Sequence, residues 1–410
     1  MNHLLELENP QLAKERQQFL QEAIPLLSAE NQQDGGVLEP LLSISVVVHV
    51  IHNGEPVGQG ANLSDERIRT QIEVLNEDFS SLNAKFFSTP AQWLGAAGVP
   101  NIQFCLATKD PAGNVSTGIT RHEIQVTGTS WSNNNINSTI KPATKWEPLR
   151  YMNIYVLGIP GTTAAGGVVG FSNYPTTSLI GAATDGIVID YNWFGGEGYP
   201  ASGIRTLTHE TGHYLGLPHT FDGNTCPGDD GISDTPNIEK STREYMTLDC
   251  TNGFPTGPVS CGNAHMYVNY MDYVTETCYT SFTNGQVNLM RAVLDGTSSG
   301  YGYGSRAQLI SSAPSQCSLA ANDAGIIRLL SPGAVICANT PFSPQATLRN
   351  FGVADLTSVQ IIWKMTPAAG GAITFDTLTW QGSLFPGGNL DVFLPDLLPP
   401  DGLYDLTIFT

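Results

Sequence analysis

The chain has 410 residues, of which 41% are hydrophobic and 13% are charged, and its formal net charge is −19. This length is too great for one compact core and predicts two or three domains, while the apolar content excludes a disordered chain. The acidic excess argues against binding to nucleic acid or to anionic membranes, and it suits a secreted protein that binds calcium.

Membrane spans and export signals are both missing from the sequence pattern. No run of eighteen or more apolar residues occurs, so no membrane-spanning segment is predicted. The first residues also lack the basic and then apolar arrangement of a secretory signal. Because the chain carries 7 cysteines and disulfides form in oxidising compartments, we expect a secreted protein whose export signal is not part of this sequence.

The first half of the chain predicts an α/β domain. Residues 1–40 are polar and glutamine-rich, and they predict no core of their own. A continuous β-branched run at 44–51 predicts a strand that is buried on both faces. Ser64 is placed to cap a helix whose apolar residues recur at intervals of three and four. Three further strands and a glycine-rich loop are predicted, at 102–107, 151–157 and 186–191 and at 158–170.

The segment 207–221 reads LTHETGHYLGLPHTF and holds three histidines and a glutamate at the spacing of a catalytic metal site. On an α-helix, His209 and His213 project from one face one turn apart, so both rings can reach one ion. A glycine and a proline after His213 end the helix, because glycine accepts a left-handed conformation and proline cannot continue the hydrogen-bond ladder. The reversed chain brings His219 to the ion as a third ligand.

Three protein ligands leave a fourth tetrahedral position open for water, which is the arrangement of a catalytic zinc site. Glu210 adjoins the first ligand and is predicted to be the general base that takes a proton from the zinc-bound water during attack on a peptide carbonyl. The alternative is a polar helix with solvated or core histidines. The full motif H-E-x-x-H-x-x-G-x-x-H argues against that alternative, because it fixes five positions at once.

A methionine turn is predicted about fifty residues further on, where 269–273 reads NYMDY. Met271 is placed to form an apolar floor under the metal site, since its flexible thioether fits an irregular gap. Tyr273 is placed to direct its hydroxyl at the oxyanion of the transition state. Alone, these five residues are typical of an ordinary turn, so the interpretation depends on the histidine motif.

Together, the two motifs resemble the metzincin metalloproteases and, within them, the pappalysin family. The finer resemblance is carried by His219-Thr-Phe221, by Asp234-Thr-Pro236, by the cysteines between the motifs and by NYMDY, and it covers about residues 41–297. It implies an α/β catalytic domain with a twisted mixed sheet, a zinc-binding helix and a disulfide-rich lower subdomain. It also implies that an edge strand near the 158–170 loop pairs with extended substrate.

The resemblance further implies that residues 1–40 form a propeptide that keeps the enzyme latent. A cysteine is the usual side chain that blocks the metal, but the first cysteine of this chain is Cys105. An aspartate is expected in its place, and Asp34 is the candidate. A plain turn residue is the alternative for Asp34.

Four cysteines lie in the loop-rich segment between the histidine-bearing helix and the helix that follows the methionine turn. Their crowding there predicts two disulfides. Three connectivities are open from the sequence, and a structural zinc is the alternative, although no C-x-x-C spacing is present. The family resemblance implies the crossed pattern Cys226–Cys261 and Cys250–Cys278. A third bridge is assigned to Cys317 and Cys337, which leaves Cys105 as a buried and unpaired residue.

A cluster of acidic residues follows the third histidine. Among glycines, this segment carries the hard oxygen ligands that calcium prefers, at Asp222, Asp229, Asp230 and Asp234. The family resemblance supports calcium there. A solvated acidic loop is the alternative.

The last third of the chain predicts a separate domain. A capping box at Thr283 and Gln286 begins a helix that ends at Gly296, and this helix closes the catalytic domain at 41–297. Residues 298–320 are rich in serine and glycine and are interpreted as a linker. From 321 to 410 short apolar runs alternate with turn residues, which predicts an Ig-like β-sandwich accessory domain.

We therefore expect a secreted, monomeric zinc endopeptidase that hydrolyses proteins or peptides and is captured here as a latent zymogen. The alternative is a catalytically silent binding or adhesin module that retained the zinc fold and works through its C-terminal domain. Glu210 argues against this alternative, because a binding module has no use for a general base.

Overall fold

The computed structural model describes residues 40–83, 85–125, 135–159, 167–196, 204–223, 225–226, 228–296, 304–316, 322–331, 339–352, 354–368 and 370–410. These residues form two compact units. The first unit contains the described residues of Leu42–Ser318, and the second unit contains those of Leu38–Leu41 and Leu319–Thr410.

The first unit combines helices with short and long strands. Its described α-helices are α1 (Asp65–Phe79), α2 (Ala91–Leu94), α3 (Lys141–Thr144), α4 (Thr206–Tyr214), α5 (Thr242–Tyr245), α6 (Asn284–Asp295) and α7 (Ala307–Gln316). Its described strands are β1 (Leu42–His52), β2 (Ala97–Gly98), β3 (Ile102–Leu106), β4 (Ile119–Glu123), β5 (Met152–Leu157), β6 (Gly170–Ser172), β7 (Ile187–Asp190), β8 (Val259–Ser260), β9 (Asn263–Ala264) and β10 (Phe282–Thr283).

A mixed six-stranded sheet is the framework of the first unit. Its order is β3-β1-β5-β7-β6, and β4 pairs with the second half of β1 on the side where β3 pairs with the first half. These pairings are parallel except for β6, which runs antiparallel to β7 at the edge. The centre of β1 is fully buried, as its continuous apolar sequence predicts for a strand covered on both faces.

Helix α1 packs on this sheet through an apolar stripe that includes Ile68, Ile72 and Phe79. Its first turn is capped by Ser64, whose side chain accepts a hydrogen bond from the backbone of Arg67. Helix α6 begins with the predicted capping box, in which Thr283 and Gln286 satisfy each other's backbone N–H groups. It ends at Gly296, which has the left-handed conformation.

The linker interpretation of residues 298–320 is wrong for its described part, because residues 307–316 form helix α7. Leu309 of this helix is buried in the core of the first unit. The residue before the helix, Arg306, is also buried and forms an ion pair with Asp185. Burial of an apolar side chain and of a paired charge holds this serine-rich segment to the unit.

The segment after α4 is stapled by two disulfides. They join Cys226 to Cys261 and Cys250 to Cys278, which is the crossed pattern that the resemblance implies. The second bridge lies in a small separate core with Met266, Tyr267 and other apolar residues. So much irregular chain gains stability from such crosslinks because they lower the conformational entropy of its unfolded state.

The interpretation of Cys105 as an unpaired residue is wrong, because Cys105 is disulfide-bonded. Cys317 and Cys337, to which a third bridge was assigned, lie outside the described residues.

The second unit consists of two antiparallel three-stranded sheets, β11-β12-β15 and β14-β13-β16. Both sheets contribute to one hydrophobic core, which contains Leu348, Trp363 and Val392. The strands are β11 (Ala324–Ser331), β12 (Gln345–Asn350), β13 (Leu356–Pro367), β14 (Thr374–Leu384), β15 (Asn389–Phe393) and β16 (Tyr404–Phe409). Across the described parts of both units, no helix has the length and apolar character needed to cross a membrane.

Candidate active site

Three histidines meet below the sheet edge formed by β6 and β7. His209 and His213 lie one turn apart on α4, which ends at Tyr214. Gly216 then takes a positive φ of 100°, and the chain turns back to bring His219 beside them. One ligand atom from each histidine lies within 4.8 Å of the others, and no second group of this kind occurs among the described histidine, cysteine and acidic residues.

The rings are oriented by hydrogen bonds at their Nδ1 atoms. His209 donates to the backbone oxygen of Tyr270 over 2.6 Å, and His213 donates to that of Leu217 over 2.6 Å. The Nδ1 of His219 is 3.2 Å from a carboxylate oxygen of Asp222. A proton on each Nδ1 leaves each Nε2 with a lone pair, which is the tautomer of a metal ligand whose second nitrogen is held by a neighbour.

The spacing of these lone pairs fits a bound cation. The Nε2 atoms of His213 and His219 are 3.1 Å apart, so two unprotonated nitrogens face each other in a buried site. Such lone pairs repel, and a divalent ion between them converts that repulsion into two bonds. Burial and the neighbouring His219 lower the pKa of His209 to about 3, so this ring is neutral and able to bind a metal at physiological pH.

Glu210 lies beside the triad with its carboxyl group buried. Its Oε2 atom has no hydrogen-bond partner among the described residues. Burial raises the pKa of Glu210 to about 8, and a nearby cation would oppose this shift and favour the ionised base. Strand β6 approaches closely here, since a Cβ atom on Gly170 would lie 3.1 Å from Cγ of Glu210.

The methionine turn lies against the same helix. Met271 is fully buried, and its sulfur would be 2.5 Å from a Cβ atom on Gly212, so the methionine packs directly against the glycine of α4. The backbone oxygen of Met271 accepts a hydrogen bond from Thr220, next to the third histidine. The Tyr273 hydroxyl is 2.9 Å from Nε2 of His219, on the side where the ligand atoms converge.

The structure does not bring the four predicted calcium aspartates to one point. Instead, the two carboxylate oxygens of Asp222 contact His219: one is 3.2 Å from its Nδ1 atom, and the other accepts a hydrogen bond from its backbone N–H over 3.3 Å. Asp229 and Asp230 accept hydrogen bonds from the backbone two residues further on. Asp234 accepts one from Gly285, while its Oδ1 is buried without a partner among the described residues. Asp34, the candidate latency residue, lies outside the described residues.

Sequence reasoning missed two residues that orient the ligands. Asp222 stands three residues after His219, a spacing that could have indicated its role, but its acidic neighbours suggested calcium. Tyr174 places its hydroxyl 3.0 Å from Nδ1 of His213, and no local pattern signals this contact across 39 positions.

Comparison with known proteins agrees with this geometry. The peptidase M43 family model, described as pregnancy-associated plasma protein-A, matches residues 134–295. The structure of mature mirolysin from Tannerella forsythia in complex with a cleaved peptide is 34% identical with a TM-score of 0.52, and the match covers 67% of this chain and 97% of that one. A promirolysin mutant from the same organism is 32% identical with a TM-score of 0.58, over 77% of this chain and 96% of that one.

The chain belongs to the pappalysin family of metzincin peptidases. Among curated relatives, an extracellular metalloprotease of Colletotrichum graminicola is 28% identical over 256 residues, which are 61% of this chain and 76% of that protein. The pappalysin described here is therefore a secreted metalloendopeptidase. The family assignment implies a catalytic metal, and the histidine triad is the group of described residues that fits one.

Proposed function

We propose that this pappalysin is a zinc endopeptidase in which His209, His213 and His219 hold the metal. The observation that carries the proposal is the convergence of three buried imidazoles whose Nδ1 atoms are already engaged. Three neutral nitrogen ligands with an open fourth position are characteristic of catalytic zinc. Softer or harder metals would call for thiolate or carboxylate ligands.

Bound zinc would act as a Lewis acid that polarises the substrate carbonyl and makes a water acidic enough to attack it at neutral pH. Glu210 accepts the proton of the attacking water, because its carboxyl group adjoins the ligands and its Oε2 is otherwise without a partner. It then returns the proton to the leaving amine. The buried surroundings of Glu210 strengthen both steps, since they exclude competing water.

Tyr273 and Met271 complete the proposed machinery. The hydroxyl of Tyr273 already lies at the ligand atoms, so it can donate a hydrogen bond to the oxyanion that develops on the substrate. Met271 packs under the helix that carries two ligands, and it holds the floor of the site free of water and charge.

Strand β6 is the proposed docking edge for substrate. β6 is the last strand of the sheet and pairs, in antiparallel orientation, with β7 on one of its two sides. At Gly170 this strand lies against Glu210. An extended peptide that adds to this edge would lie with a carbonyl beside the metal. The solved complex of mirolysin with a cleaved peptide is consistent with peptide substrates for this chain.

The test is a Glu210→Ala variant assayed with casein and a quenched peptide library. We expect hydrolysis to fall at least about 1,000-fold, because the general base is lost, while zinc content by mass spectrometry stays at one ion per chain. Glu123→Ala, an exposed residue at the end of β4, is the matched control and should behave as the unaltered enzyme. Undiminished hydrolysis by Glu210→Ala would refute the assignment of the base.

Latency and an accessory role belong to the same proposal. The match to promirolysin covers 77% of this chain and the match to the mature form covers 67%, and the longer match to the proform supports a propeptide in this chain. We assign it to residues 1–40, with Asp34 as its metal-blocking residue. The shared core of the two C-terminal sheets supports an Ig-like β-sandwich at 321–410. The latency role would be supported if the unaltered chain becomes active only after removal of residues 1–40, and if the full-length Asp34→Ala variant is active without that removal. A full-length Asp34→Ala variant that stays inactive would contradict the role of Asp34.

We also propose calcium at the acidic segment 228–236, although without Asp222. The partnerless oxygen of Asp234 and the buried Asp230, whose pKa burial raises well above its usual value, are both groups that a cation would stabilise. EGTA should lower the melting temperature, and calcium but not magnesium should restore it. An unchanged melting temperature would refute this part.

A further inference from the structure

A buried polar network lies at the beginning of helix α4, and its centre lies outside both sequence motifs. Its centre is Asp78, near the end of α1, whose side chain is fully buried. One of its oxygens accepts a hydrogen bond from the Tyr270 hydroxyl over 2.6 Å and one from Arg205 Nε over 3.2 Å. The other oxygen accepts from the Thr208 hydroxyl over 2.7 Å. Asp78 therefore binds three residues that flank the metal ligands.

Tyr270 links this network to a ligand. Its ring hydroxyl is bound by Asp78 and also accepts a hydrogen bond from Asn83 over 2.9 Å. Its backbone oxygen, at the opposite end of the residue, accepts the Nδ1 proton of His209 over 2.6 Å. The same residue precedes Met271 in the methionine turn. Asp78 therefore holds the ring of Tyr270 in place. The backbone carbonyl of Tyr270 in turn sets the tautomer and the direction of His209.

Arg205 links the network to the start of the active-site helix. It is the residue that precedes α4, and its backbone N–H donates to Glu276 over 2.9 Å. Its guanidinium lies between the carboxylates of Asp78 and Glu276. Both acidic side chains accept hydrogen bonds from this guanidinium, and Glu276 also accepts the backbone N–H, so Arg205 is held at the start of the helix. The network therefore sets where α4 begins relative to α1 and the methionine turn.

A purely structural ion pair would have the same burial but a different consequence. Such a pair would contribute to the stability of the fold, but the orientation of the His209 ring would then depend on α4 alone. The direct path from Asp78 through Tyr270 to Nδ1 of His209 favours an additional role, because the partner of a ligand's second nitrogen tunes both its direction and its basicity.

We infer that Asp78 and Tyr270 are positioning residues that hold His209 in the orientation and tautomer required for the metal. They touch neither substrate nor metal, and they act through the backbone carbonyl of the methionine turn. The inference deepens the proposed function and rests on its metal site.

The experiment compares metal binding by the full chain and by three variants. Asp78→Asn keeps the shape of the side chain but replaces one anionic acceptor with a donor, and Tyr270→Phe removes only the hydroxyl. Tyr267→Phe is the matched control, because it removes a buried hydroxyl whose hydrogen bond goes to the backbone of Pro255 and not to the site. The dissociation constant for zinc is measured by competition with a chromogenic chelator, and the melting temperature of each metal-free protein is measured in parallel.

We expect the zinc dissociation constant to rise about 10-fold in Asp78→Asn and in Tyr270→Phe, and to stay unchanged in Tyr267→Phe. At saturating zinc, kcat should fall in the first two variants with little change in KM. Melting temperatures that fall to the same extent in Tyr270→Phe and Tyr267→Phe would show that the loss of affinity is not a loss of fold.

Two results would overturn the inference in distinguishable ways. If the unaltered chain binds zinc and both Asp78→Asn and Tyr270→Phe bind it equally well, the network is structural only and the proposed function stands. If the unaltered chain itself binds no zinc, the proposed function fails and the positioning role fails with it.

Discussion

Lys141 is a basic residue that is fully buried in the interior of the first unit. Its Nζ donates hydrogen bonds to the Asn173 side chain over 3.1 Å and to the Thr184 backbone oxygen over 2.9 Å. It also lies over the rings of Tyr155 and Phe171. Burial lowers the pKa of Lys141 from 10.5 to about 7, because the surroundings solvate a charge less well than water.

The depressed pKa predicts a pH-dependent stability that Lys141→Met should remove. Between about pH 7 and pH 9 the unfolded chain keeps the lysine proton and the folded chain releases it, so the folded state gains stability as pH rises. Over this range, the free energy of unfolding of the unaltered protein should therefore rise by about 2 kcal/mol relative to that of the variant. It should be flat below about pH 6. Urea titrations at a series of pH values give the difference, and a constant difference throughout would contradict the assignment.

At the residue scale, local spacing predicts the ligands but not what orients them. His209 and His213 could be recognised because four residues make one helical turn, and His219 because the intervening glycine reverses the chain. The acceptors for their Nδ1 atoms are mainly backbone oxygens, and that of Tyr270 is 61 positions away from its histidine. A backbone oxygen has no sequence signature, so these contacts appear only with the fold.

At the scale of elements, Arg306 fastens the chain that follows α6 to the end of the active-site helix. Its guanidinium donates two hydrogen bonds to Asp185 over 2.8 and 3.0 Å and one to the backbone oxygen of Tyr214. It also stacks on the Tyr214 ring at 3.5 Å from the ring centre. A cation at the last residue of α4 complements the helix dipole.

Breaking this pair should destabilise the first unit strongly. Arg306→Met leaves the buried Asp185 without its counter-charge, so we expect a loss of about 3–5 kcal/mol in the free energy of unfolding. The double variant Arg306→Met with Asp185→Asn should recover part of that loss, because no buried charge is then left unpaired. Denaturant unfolding of Arg306→Met, of the single variant Asp185→Asn and of the double variant measures this coupling. Strictly additive losses would show that the two side chains do not act as a pair.

Elements with local start signals were predictable, and those held by distant contacts were not. The start of α1 could be predicted from Ser64, and the start of α6 from the capping box of Thr283 and Gln286. Both signals are local, because a helix cap is a contact within one turn. Helix α7 has a serine-rich sequence that is typical of a linker. It is held in place through Arg306, which binds Asp185, a residue 121 positions earlier in the chain. Strand β6 has only 3 residues, too few for a periodic pattern.

At the scale of the whole molecule, the proposed chemistry belongs to the first unit. All described residues of the candidate site lie there, and so does the family match over residues 134–295. The second unit has its own hydrophobic core and its own pair of sheets. Length predicted more than one domain, but the run of strands alone could not fix how these strands pair, because pairing depends on long-range register.

A chain that ends at residue 318 should therefore keep its peptidase activity. The first unit retains its core and every proposed catalytic residue, so kcat/KM for a small peptide should match that of the full chain within experimental error. Assay of both forms after identical activation measures this. Loss of activity in a truncated chain that still melts cooperatively would show that the second unit takes part in catalysis.

The central claim is that three imidazoles bind one zinc ion and leave one position open. X-ray absorption at the zinc edge tests it most directly, on zinc-loaded protein from which residues 1–40 have been removed. We predict three imidazole nitrogens at about 2.0–2.1 Å and one oxygen at a similar distance. A shell of sulfur atoms at about 2.3 Å, or a fully protein-derived set of four ligands, would contradict the account.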